Sequence, residues 1–138
     1  YHAAKLRRYQ EMIDRHISPE MQAAYRAIAT AGDEMDSVDA SKFRVLNMLN
    51  TKYFILPAGQ GQTVPIENPY AYGNAWFVNN VEYVNNANQE IDALNTILPT
   101  ETAVVDARFK DILKGITTAH KDSLSSVRLT SYEPNRLI

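Results

Sequence analysis

The 138-residue chain contains no cysteine, which excludes thiol nucleophiles, disulfides and thiolate metal sites together and leaves the redox compartment unread. It also lacks any apolar run of the roughly 18 residues that a membrane-crossing helix needs. No charged-then-apolar leader opens it. Glycine is scarce, at five residues, and neither a Walker loop nor a GxGxxG fingerprint is present. Gly59-Gln60-Gly61 is a bare GxG inside a loop, without the helix start that a phosphate cradle requires. A charge excess is missing too. Fourteen basic residues face 16 acidic ones, for a net charge of −2, so no basic field exists to hold nucleic acid, and nucleic acid is not an expected partner.

What is present describes a folding domain. Apolar residues make up 45% and charged residues 22%, the usual balance of a globular protein. A chain of this length buries roughly two thirds of the surface its unfolded form exposes, so residues 1–138 are expected to form a single soluble domain around one modest core. The chain begins at Tyr1 rather than Met and stops at Ile138 directly after a strand-like stretch, and it reads as a piece of something longer.

Periodicity supplies the elements. Leu6, Tyr9, Ile13, His16 and Ile17 recur at helical spacing and predict a helix from Ala3 to Ile17. Ser18-Pro19 then reads as an N-cap followed by proline at the first helical position. Met21, Ala24, Tyr25 and Ile28 give the stripe of a second helix, closed by Gly32. The acidic loop 32–41 invites a calcium reading, but the twelfth position counted from Asp33 is Arg44 rather than a bidentate Glu, so a solvated, helix-capping turn is expected. Phe43 to Leu49 predicts a short helix, and "KYFIL", Lys52 to Leu56, a buried strand stopped by Pro57.

Residues 58–73 have three glycines, two prolines and no periodicity, and are expected to be the longest loop. "AWFVNNVEYV", Ala75 to Val84, predicts the second strand, bulged at Asn79-Asn80. An asparagine-capped helix with the stripe Ile91, Leu94, Ile97 and Leu98 follows, ended by Pro99. "TAVVDA" is a third strand, Arg108 to Lys114 a turn or two of helix, and Ser126 to Tyr132 the last strand. The fold class is α+β: an N-terminal helical segment (1–50), then a small mixed sheet of about four strands with short helices (51–138). The strand–helix steps allow a parallel pair or a mixed sheet equally.

Chemistry is sparse. His2, His16 and His120 lie in no nucleophile or metal motif, and no histidine pair stands four residues apart, so neither a structural metal nor a cofactor is expected. No catalytic residue is assigned, although Glu82 or Glu101 with Asp106 would be the carboxylate pairs to consider. The remaining candidate is "NPYAYGNAWFVNN", Asn68 to Asn80, which carries Tyr70, Tyr72, Trp76 and Phe77. Two readings stand. Tyr70, Tyr72 and Trp76 form a sugar-stacking platform, or the Gly73-Asn74 turn delivers Trp76 and Phe77 into a core strand.

Four blocks, "YHAAKLRRYQEMID", "RVLNMLNTKYFIL", "NPYAYGNAWFVNNVEYVNNANQEIDAL" and "VRLTSYEPNRL", occur in this order. Together they resemble the soluble region of YfhO-type bacterial membrane proteins, particularly those of the Bacteroides group. That family is polytopic and similar to lipid-phosphosugar-dependent glycosyltransferases whose catalytic acids lie near their N-terminal spans. The resemblance implies an extracytoplasmic accessory domain, not catalytic by itself, whose partners are the rest of its own membrane-embedded chain and a glycan or lipid-linked sugar. It carries no catalytic position onto these residues.

Overall fold

The computed structural model describes residues 7–32, 35–115, 126–134 and 136–137. The expected helix start at Ala3, the loop positions Asp33 and Glu34, and His2 and His120 lie outside them. The chain is α+β, and its contacts divide it into two compact units, Tyr1–Ala71 and Tyr72–Ile138.

In the first unit, α1 (Arg7–Met12) runs through a π-helical turn (Ile13–Ile17) directly into α2 (Ser18–Ala31). The break expected at Ser18-Pro19 is absent, because Ile17 and Ser18 both keep helical dihedrals. Proline inside a helix lacks the N–H for its own bond and presses its ring on the carbonyl four residues back. The π turn answers this by widening the helix just before Pro19, with the Ser18 N–H donating to the Ile13 carbonyl five residues back. Gly32, at φ 66°, ends α2 as expected, and its N–H donates to Ile28 O at 2.9 Å. Two 3₁₀ turns, Met35–Ser37 and Ala40–Phe43, lead into α3 (Arg44–Met48).

The strand expected to stop at Pro57 continues. β1 (Tyr53–Gly59) pairs antiparallel with β2 (Gln62–Glu67), so part of the expected loop 58–73 is a hairpin. The register explains how two prolines are accommodated. Ile55 opposes Pro65 and Pro57 opposes Thr63, in the same phase of the pleat, while the Asn68 N–H donates to Lys52 O in the alternate phase. Both prolines therefore fall where the backbone N–H points to an outer edge, and no ladder bond is lost. The tip, Gln60-Gly61, has φ of 50° and 74°, the doubly positive pattern of the tight turn that matches strand twist.

The core lies in this unit. Ala24 and Ile28 of α2, Met35, Val38 and Phe43 of the turns, Leu46 of α3 and Phe54 of β1 form one buried cluster. Phe43 and Phe54 meet edge to face at 5.8 Å, a favoured aromatic geometry. Only one face of the hairpin reaches this core: Phe54 is buried, Leu56 and Ile66 pack against the cluster, and Tyr53 and Ile55 on the other face are exposed.

The second unit centres on a strand–helix–strand step. β3 (Asn80–Val84) and β4 (Thr102–Asp106) pair in parallel across the connection that holds α4 (Ala87–Ala93). This resolves the open alternative in favour of a parallel pair, and the antiparallel strands lie in separate two-stranded sheets. Asn86 caps α4 by accepting the Gln89 N–H at 3.0 Å. The helix is shorter than its stripe suggests, passing into turns after Ala93 and leaving Leu98 57% exposed. β3 also starts later than expected, at Asn80 instead of Ala75, so Trp76 and Phe77 are not on a core strand. In this parallel register Asn80 pairs with Thr102. Continuing the ladder back to Ala75 would need residues 97–101, which bend around Pro99 and form no strand. The Asn79 and Asn80 N–H groups close on the Glu101 carbonyl instead, at 2.8 and 2.9 Å. The last strand is not Ser126 to Tyr132: residues 126–131 belong to no strand, and β5 (Tyr132–Glu133) pairs with β6 (Arg136–Leu137).

Candidate functional site

The aromatic stretch is divided at Ala71–Tyr72 between the two units. Tyr70 belongs to the first. Its hydroxyl donates to Met35 O at 3.1 Å and its ring stands edge-on to Phe43 at 6.3 Å, so a loop tyrosine closes one side of the core. Its backbone is held as well, since the Tyr70 N–H donates to Asn68 Oδ1 at 3.1 Å.

Asn68 is 4% exposed and Asn47 1%, and such buried amides are tolerated only when bonded. Asn68 Nδ2 donates both to Asn47 Oδ1 at 2.9 Å and to Thr51 O at 2.7 Å. Asn47 Nδ2 in turn reaches Ala40 O at 3.4 Å. This amide pair joins the 40–51 segment to the end of β2, and the residues before Tyr70 are therefore structural.

In the second unit Tyr72 and Trp76 come together, ring edge to face with centroids 5.1 Å apart. The Trp76 indole N–H donates to Pro99 O at 2.8 Å, which satisfies a donor that is costly to bury alone. Both rings are half-buried, while Phe77 is 44% exposed. Of the three residues predicted to stack on a sugar, Tyr72 and Trp76 are thus adjacent, each with part of its ring surface open.

Two polar arrangements and a groove escaped sequence reasoning. The first joins α2 to α3. Phe43, at the N-cap of α3, has no side-chain acceptor to offer, and Glu20, half-buried on α2, supplies it. Its Oε1 accepts the Val45 N–H at 3.1 Å and its Oε2 the Leu46 N–H at 2.9 Å. Burial pushes the Glu20 carboxyl above its ordinary range, against the opposing pull of those two N–H groups and of His16 and Arg44 nearby. His16, on the π turn, is 3% exposed. A glutamate 25 residues before its donors leaves no local signature.

The second arrangement lies at the carboxyl ends of the parallel strands, where open parallel sheets tend to bind ligands. Glu90 of α4 accepts the Asp106 N–H at 3.0 Å. Asp106, 7% exposed, accepts the Arg108 N–H at 3.0 Å, and its other oxygen faces Arg108 Nε at 3.4 Å. These bonds complete the strand end and cap the following 3₁₀ turn (Ala107–Phe109). Third, a groove of about 620 Å³ is lined by Ala23, Ala27, Arg26, Val38, Asp39 and Lys42 among others. The Asp39 carboxyl on its rim is held below its ordinary range by the Ser41 hydroxyl and then the Ser41 N–H, and it caps the following turn, as expected of the acidic loop.

No group of three or more His, Asp or Glu side chains among the described residues is placed to hold a metal ion. Among the same residues, no helix is long and apolar enough to cross a membrane. Compared with known proteins, the chain matches no family model, no curated protein and no solved structure.

Proposed function

We propose that this chain is a non-catalytic, extracytoplasmic accessory domain of a polytopic membrane protein that resembles the lipid-phosphosugar-dependent glycosyltransferases. In this reading it positions an acceptor glycan or lipid-linked sugar for the membrane-embedded remainder of its own chain. The sequence support is the ordered set of blocks resembling YfhO-type proteins. The structural observation that carries the reading is where those blocks spend their polar and aromatic side chains. Asn47 of "RVLNMLNTKYFIL" and Asn68, Tyr70 and Trp76 of the aromatic block have their side chains engaged in internal hydrogen bonds. Residues used in this way build a scaffold, and a scaffold attached to a catalytic partner is an accessory domain.

The test is made in the parent protein. Removing the segment from the full-length gene product, with abundance checked in the membrane fraction, is expected to lower sugar transfer to envelope glycan. Undiminished transfer would sink the proposal, as would flanking sequence without apolar spans.

A second reading, a carbohydrate-binding module, is favoured by one observation, the half-open Tyr72–Trp76 pair. Tyr70 contributes least to it, since its hydroxyl and ring edge are already engaged. Trp76 is the only tryptophan, so its fluorescence reports on this site directly. An emission spectrum unmoved by saturating envelope glycans would rule the reading out.

A further inference from the structure

We draw no further inference here: the strongest candidate, the outward face of the β1–β2 hairpin carrying the exposed Tyr53, Ile55, Pro57 and Pro65, is an apolar patch for which nothing in the structure shows what covers it.

Discussion

Replacing Glu20 with alanine tests the join between α2 and α3. The side chain accepts two backbone N–H groups, from Val45 and Leu46, which are 0% and 3% exposed. An unsatisfied buried donor costs roughly 1–3 kcal/mol, and loss of a helix cap typically about 1 kcal/mol. Glu20 is only half-buried, so water entering the vacated space replaces part of the loss, and the burial cost of the carboxylate disappears with it. The expected net destabilisation is therefore about 2 kcal/mol, toward the low end of two lost bonds. Urea unfolding followed by helical circular dichroism at 222 nm measures it, because most of the described helix lies in the first unit.

Glu20→Gln keeps one acceptor oxygen but turns an amide NH₂ toward the second N–H, and should cost roughly 1 kcal/mol at pH 7. Amide hydrogen exchange adds the local readout: Val45 and Leu46 should exchange faster in Glu20→Ala than in the parent. A loss below about 0.5 kcal/mol, the usual effect of an uninvolved surface change, or unchanged exchange at those two amides, would refute the reasoning.

Further outcomes follow from other features. Burial raises the Glu20 pKa from 4.5, so the folded chain holds this proton more tightly than the unfolded one. The proton-linked part of its stabilisation is full below pH 4.5 and is lost as pH rises through the folded value; the stability gap between the parent and Glu20→Gln should widen on acidification from pH 7 toward 4.5, and a flat gap would contradict the assignment. Asn68→Ala strands Asn47 Oδ1 and Thr51 O and should cost about 2–4 kcal/mol in the same urea assay. Gln60→Asn places the residue best suited to φ 50° ahead of Gly61 and should stabilise the hairpin by a few tenths of a kcal/mol, read as a higher urea midpoint. Trp76→Phe removes the bond to Pro99 O and should destabilise the second unit by about 1 kcal/mol, measured by its thermal unfolding.

Much of the local structure is legible in the sequence, and the failures share a cause. The stripe Met21, Ala24, Ile28 announces α2, Gly32 its end and Asn86 the start of α4, because periodicity and capping depend on neighbours a few residues apart. Pro19 and Pro57 mislead because proline usually marks an element boundary, opening a helix in the one reading and stopping a strand in the other. Here one is absorbed by a π turn and the other points its missing N–H outward, and both outcomes depend on hydrogen-bond phase rather than residue type. Trp76 and Phe77 alternate like strand residues, yet the strand begins at Asn80 because its partner begins only after the turn at Pro99. Glu20 with Val45, Asn47 with Asn68, and Tyr70 with Met35 are long-range pairs, and a single sequence contains nothing that links their members. The site shows the same limit: the aromatic cluster is visible as composition, whereas its division between two units is a property of the fold.

The π turn before Pro19 also bears on how this chain should be aligned with any relative. A widened turn is the footprint of one extra residue absorbed without breaking a helix. Each residue of an α-helix advances about 100° around its axis. A relative lacking one residue between Ile13 and Ile17, with an ordinary α-helical turn there, would present Arg7–Met12 and its Tyr9 in nearly the same direction, whereas a gap set outside the helix would misassign that face by roughly one such step. The correct place for a single-residue gap is inside this helix, where alignment by eye would least expect it, and any comparison of surface residues ahead of Ile13 depends on setting it there.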